Sequence, residues 1–193
     1  LTTATERKEV GVSEVEAAEK QRHSAAEGVE KAAALAEKLS TDALLQEDVR
    51  GQMLADWRDN PITVTRVGIL HDALGAHVAG LYNLSVLPFL AHLEGIVAEG
   101  KHGPQKMSFA EMKQHVAELA AGDEIMGGAI YEFVAGVVLA KFYQGTPLPE
   151  FSRHAVLHGA DTAYGTERNS LRAILAFDYV QDMLRDHARR SGR

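Results

Sequence analysis

The residues best placed to do chemistry lie near the C-terminus, in Arg153-His154-Ala155-Val156-Leu157-His158-Gly159. A guanidinium is always charged and offers a planar fork that fits phosphate oxygens. An imidazole titrates near neutral pH and can take up or release a proton. Together they are the groups that phosphodiester cleavage needs when no metal takes part. On a helix a five-residue step turns about 500°, or about 140° past a full turn. Arg153 and His158 therefore do not share one strict face, yet a long Arg side chain can reach round to a pocket shared with His158. His154 follows the Arg directly and can point to the same mouth. Gly159 suits a left-handed cap that ends a short helix just after His158.

The spacing alone is common in a chain with twelve Arg and nine His. Arg66-Val67-Gly68-Ile69-Leu70-His71 repeats it. There, however, Val67 follows the Arg and the copy opens an apolar stretch, which suits a core or snorkelling role. The C-terminal copy has a polar residue after the Arg and lies between Gly- and Pro-rich turns. An Arg and a His at a helix end also commonly cap carbonyls or bridge to Glu, and that structural reading stands beside the catalytic one.

Downstream come Tyr164-Gly165-Thr166 and Asn169-Ser170-Leu171-Arg172-Ala173-Ile174-Leu175. With Arg153–Gly159 they resemble the C-terminal half of HEPN domains, whose hallmark is an Arg, a polar residue and a His after four to six intervening residues. Leu81-Tyr82, Pro88-Phe89-Leu90 and Leu93-Glu94-Gly95-Ile96 also resemble bacterial members with this form of the motif. The likeness spans roughly residues 66–187, and the first 60 residues resemble nothing we can name. It implies an all-α, HEPN-like helical bundle. In active members it implies a metal-independent endoribonuclease that pairs as a homodimer, so that two motifs form one composite site on RNA. Inactive members serve in binding or dimerisation, and a nucleotide-binding or protein-interaction module is the alternative here.

Carried over by residue, the resemblance gives Arg153 the scissile phosphate and His158 the general acid–base role. His154 would hold the phosphate or orient His158. The expected products carry a cyclic phosphate and a free 5′-OH. Tyr164, Thr166, Asn169 and Arg172 are candidates to line the substrate site. Thr166 also suits the N-cap of the last helix, and Asn169 a bond to the preceding loop. Glu94 is a candidate ion-pair partner for Arg153 or Arg172. The family analogy further suggests a toxin or phage-defence effector with an antitoxin or regulatory protein as partner. No cofactor and no metal ligand is assigned.

Other chemistries fit less well. His71-Asp72 with upstream His23 is faintly similar to metal-dependent HD phosphohydrolases, but the Pro61 break strains the gap between them. Glu99-Gly100-Lys101-His102 has the letters of a di-iron Glu-x-x-His, yet its glycines mark a helix end and no second copy exists. The absence of Cys removes disulfide scaffolds and thiol catalysis. A formal charge of −7 argues against indiscriminate coating of nucleic acid. Residues 153–193 nevertheless hold seven Arg against five acidic residues, +2 in all, leaving −9 for the rest.

Positioning these residues requires helices almost throughout. Ser13 with Glu16, and Ser108 with Glu111, have capping-box spacing. The first would open a helix running to about Leu39, its thin apolar face made of Val15, Ala18, Ala25, Val29, Ala32, Leu35 and Leu39. A second helix follows Ser40 or Thr41 and stops before Asp59-Asn60-Pro61. Ile62-Thr63-Val64-Thr65 reads as a short extended piece. One long apolar helix is expected from about Arg66 to Glu99, kinked near Pro88. A helix from Ser108 to about Ala121 and an apolar, central one from Glu124 to Tyr143 follow, and the last spans roughly Thr166 to Arg189. The domain organisation expected is an N-terminal helical extension, residues 1–60, and a HEPN-like bundle, residues 61–193. Leu1 to Val12 has no apolar run and does not read as a signal peptide. Val67–Ala98 carries His71, Asp72, His77, His92 and Glu94, too many polar groups for a membrane span. A soluble, cytoplasmic protein is expected.

Overall fold

The computed structural model describes residues 40, 42–102, 107–122, 127–143 and 145–192. The Ser13–Glu16 box, the helix expected up to Leu39 and His23 lie outside the described residues. The compact unit that carries the motif runs from Leu44 to Arg193, so it begins upstream of the boundary expected at residue 60.

Helices build this unit: α1 (Glu47–Asp59), α2 (Val67–Val78), α3 (Tyr82–His102), α4 (Phe109–Ala120), α5 (Gly127–Tyr131), α6 (Arg153–Leu157) and α7 (Glu167–Arg190). No strand occurs among the described residues. The architecture is an all-α bundle. None of the described helices is long and apolar enough to cross a membrane.

The centre is the pairing of α3 with α7. Val86, Phe89, Leu90, Leu93, Ile96 and Val97 recur at helical spacing on α3, and Leu171, Ile174, Phe177, Val180 and Leu184 do so on α7; all are buried. Trp57 of α1 closes the core from one side. Its ring meets Phe89 and Phe177 edge-on, with centroids 5.9 and 5.5 Å away. Its indole N–H donates to Asp178 Oδ1 at 2.8 Å.

Two expectations are corrected here. Ile62–Thr65 is not extended but a turn that runs into a 3₁₀ turn, Val64–Arg66. Buried Asn60 explains it: its Oδ1 accepts from the Ile62 N–H at 3.1 Å, and Thr63 Oγ1 donates to the Trp57 carbonyl at 2.6 Å. These short-range side-chain bonds outweigh the β-branched preference. The expected long helix is broken, and the break is not at Pro88. Gly80 adopts φ +73°, with Leu81 N–H on the Ala76 carbonyl at 2.8 Å and Gly80 N–H on that of His77 at 3.0 Å. That pattern is a Schellman cap, which Gly forms without a Cβ penalty. Pro88 sits inside α3 and forfeits only the bond to the Leu84 carbonyl, on an exposed turn.

The segment expected as one helix from Glu124 to Tyr143 is α5 followed by a π-helical stretch, Glu132–Val138, which ends with Leu139 N–H on the Val134 carbonyl at 2.8 Å. Beyond Leu139 the chain leaves the helix, and residues 140–143 run irregularly beside α6.

Asp178 gives the core a pH dependence. Burial pushes its carboxyl up to about 6, against 3.8 in an open chain, although Trp57 bonds to it. The folded state thus holds the proton more tightly than the unfolded one. Its stabilising contribution is complete below pH 3.8 and is lost as pH rises through about 6. Trp57 and Gln181 both donate to the same oxygen, Oδ1, so an amide can serve both. Asp178→Asn is therefore expected to raise stability at pH 7.5 by about 2 kcal/mol, with the gain vanishing near pH 4. Urea unfolding at the two pH values, followed by fluorescence of the single Trp57, checks this.

Candidate active site around Arg153, His154 and His158

Helix α6 is five residues long and is held at both ends. Ser152 is its N-cap: the side chain accepts from Ala155 N–H at 3.3 Å and donates to the Ala140 carbonyl at 2.6 Å. At the other end Gly159 takes φ +72°. Ala160 N–H bonds the Ala155 carbonyl at 2.9 Å, and Gly159 N–H bonds that of Val156 at 3.0 Å. This second Schellman cap leaves His158 as the last residue of the turn, exposed to solvent.

Arg153 reaches back to the middle of α3. Its Nε donates to the Leu90 carbonyl at 2.9 Å, and Nη2 pairs with Glu94 Oε2. The two side chains are 14% and 32% exposed. Burial pulls the guanidinium pKa down while Glu94 pushes it up, and the group stays charged. The apolar helix thus supplies Glu94 as the partner of Arg153, and Arg172 pairs instead with Glu150 at 2.9 Å.

His154 is half-buried and its ring is fixed by the chain that follows the π-helical stretch. Phe142 N–H donates to His154 Nδ1 at 3.2 Å. A nitrogen that accepts carries no proton, so the neutral ring keeps its hydrogen on Nε2 and offers it as a donor. The rings of His154 and His158 meet edge-on with centroids 4.6 Å apart. One imidazole is thus held as a donor, and the neighbour its ring touches is exposed to solvent.

The downstream candidates serve mainly to hold the chain after α6. Thr166 caps α7 by accepting from Asn169 N–H at 3.1 Å. The Asn169 side chain is buried and donates to the Tyr164 carbonyl, also at 3.1 Å. Tyr164 is half-buried against the core. Ser170 lies in a buried chain, with its Oγ 2.7 Å from His77 Nδ1 and 2.8 Å from Ser85 Oγ. Burial lowers the His77 pKa, which favours the neutral ring that this contact suits. This His–Ser contact is sealed inside the protein and stitches α2, α3 and α7 together.

The second Arg-x-x-x-x-His copy is built differently. Arg66 pairs with Glu99 at 2.6 Å and donates to the Ile62 carbonyl, while exposed His71 sits against Asp72 at 3.3 Å. Arg66 therefore ties the 3₁₀ turn to α3.

Sequence reading missed three neighbours of the motif. Phe109, the first residue of α4, meets His154 with centroids 6.1 Å apart. Lys113 Nζ lies 5.9 Å and Lys141 Nζ 5.7 Å from the centroid of the Phe109 ring. Only the four-residue step from Phe109 to Lys113, one helical turn, was visible in advance. No protein-family model, no curated protein and no solved structure matches the chain, so its site is read from these contacts and their chemistry.

Proposed function

We propose that the chain is a HEPN-type endoribonuclease that cleaves RNA without a metal. The observation that carries this reading is the pair of imidazoles 4.6 Å apart on a short helix whose first residue is Arg153. Transfer of a phosphodiester from a 5′-oxygen to a neighbouring 2′-oxygen needs a proton taken from the 2′-oxygen and one supplied to the 5′-oxygen. His158, open to solvent, takes the proton of the ribose 2′-OH. The 2′-oxygen bonds to phosphorus and the bond to the 5′-oxygen breaks. The Nε2–H of His154 bonds a phosphate oxygen or steers His158, and His158 passes the proton it has taken to the departing 5′-oxygen. The products are a 2′,3′-cyclic phosphate and a free 5′-OH. Arg153 offsets the charge that gathers on the phosphate.

In this reading two copies pair so that their motifs face one cleft, and the +2 segments of both make it basic inside an acidic body. A toxin or phage-defence role, restrained by an antitoxin or regulatory protein, goes with it by analogy with the family. The Arg153–Glu94 ion pair favours a second reading, a HEPN-like binding or dimerisation module in which Arg153 only joins α6 to α3.

Purified protein incubated with structured RNA in EDTA separates the two. His158→Ala is the sharpest variant because its ring is exposed and the fold does not lean on it. Cleavage by the wild type that His158→Ala lowers at least about 100-fold supports the nuclease. Cleavage that disappears with EDTA, or that survives both His158→Ala and Arg153→Ala, overturns it. A wild type that leaves RNA intact points to the binding module.

A further inference from the structure

We infer that the RNA strand leaves the His154–His158 pair across a basic surface formed by Phe109, Lys113 and Lys141. This inference rests on the RNA-cleaving reading of the motif.

The three residues come from separate places, the first turn of α4, its second turn, and the irregular chain after the π-helical stretch. They converge beside His154, whose ring meets Phe109 while both ammonium groups lie within 6 Å of the same phenyl centroid. An aromatic ring holds an ammonium by its quadrupole and leaves the charge in place, together with its hydrogen-bond donors. A carboxylate partner would cancel that charge. Among the described residues neither lysine has a carboxylate at ion-pair distance, in a chain with 27 acidic residues against 20 basic ones. Glu111, the acidic residue nearest in sequence to Lys113, is turned to its own helix start, where it accepts from Ser108 N–H at 2.8 Å. Lys101 shows the contrast: it is spent on Glu118 at 3.3 Å.

Two localised, uncancelled cations next to an imidazole pair suit consecutive phosphates on one side of the broken bond. A single strand is the fitting form of RNA. Attack by a 2′-OH needs the 2′-oxygen, phosphorus and 5′-oxygen in line, a geometry that a flexible strand reaches and a stiff A-form duplex resists. Phe109 gathers the two ammonium groups at one ring, and the lysines grip the backbone whatever the base sequence.

The test uses a fluorescent single-stranded 2′-O-methyl RNA of about 12 nucleotides, which binds but cannot be cut, because the attacking hydroxyl is blocked. Fluorescence anisotropy in EDTA at several salt concentrations gives its affinity. Lys113→Gln/Lys141→Gln is expected to weaken binding about tenfold and to flatten the salt dependence by about 1.4 logarithmic units per decade. Arg58→Glu, exposed on α1 and equal in net charge change, is expected to stay within about twofold of wild type. Phe109→Leu keeps an apolar side chain but lacks the ring and is expected to lose about threefold. With cleavable RNA the double lysine variant should raise KM and leave kcat in place.

A double lysine variant that binds like Arg58→Glu, or a wild type that does not bind the oligonucleotide, overturns the inference. Cleavage that depends on His158 but not on the lysines leaves the nuclease reading intact and removes this surface. Lysine-dependent binding without any cleavage does the reverse.

Discussion

Arg153→Ala is expected to abolish RNA cleavage and also to cost about 2–3 kcal/mol of stability, because it strands a half-buried carboxylate. Glu94 is only 32% exposed and its oxygen faces the guanidinium directly. Without Arg153 it must find water or take up a proton. The Leu90 carbonyl, which accepts from Arg153 Nε, lies within α3 and keeps its helical bond, so the loss centres on Glu94. Arg153→Ala/Glu94→Gln should therefore recover most of the stability by removing the stranded charge. It should not recover cleavage, since the guanidinium that offsets charge on the scissile phosphate is then gone. Urea unfolding of the four proteins of this cycle, each also assayed on RNA, checks both halves. A double variant that regains cleavage along with stability would show that Arg153 serves the fold alone.

Trp57→Ala carries the largest expected loss of stability, about 4 kcal/mol. The indole is fully buried, touches Phe89 and Phe177 edge-on, and supplies the hydrogen-bond donor that offsets part of the burial of Asp178. Removing it opens a cavity where α1, α3 and α7 meet and leaves the Asp178 carboxylate more exposed to its Asp182 and Asp56 neighbours. Trp57→Phe fills most of the space without the N–H and should cost about 1–2 kcal/mol. For a unit of this size the alanine variant should melt about 10 °C below wild type, as read by far-ultraviolet circular dichroism. A shift of only 1–2 °C would mean that α1 is not integral to the bundle.

The helices were legible where apolar residues recur every three or four positions. Leu171, Ile174, Phe177, Val180 and Leu184 on α7, all buried, show this. Ser108 and Thr166 were legible as caps because a cap is a local contract between neighbours. Glu94 was legible as an ion-pair partner because a carboxylate on an apolar helix needs a cation. The break at Gly80 was hidden: Pro88 is the stronger sequence signal, yet a proline costs a helix one bond, whereas a left-handed glycine can end it. The turn at Ile62–Thr65 was hidden because Asn60 and Thr63 override the β-branched pattern through bonds that propensities do not contain. The convergence of Phe109, Lys113 and Lys141 on His154 is set by packing between distant segments and has no spacing to read. His154 Nδ1 as an acceptor is of the same kind, since its donor, Phe142 N–H, is placed by the chain beyond the π-helical stretch.

The two clamps on α6 make the number of residues between Arg153 and His158 a fixed dimension of the site. Arg153 anchors one end to α3 and the Gly159 cap ends the other, so both ends of the helix are defined by contacts of their own. One residue inserted between Val156 and His158 would turn the second imidazole by about 100° and carry it about 1.5 Å along the axis. It would then point away from His154 while Arg153 stayed where it is. The short helix works as a gauge block, converting a count of residues into a distance between two rings.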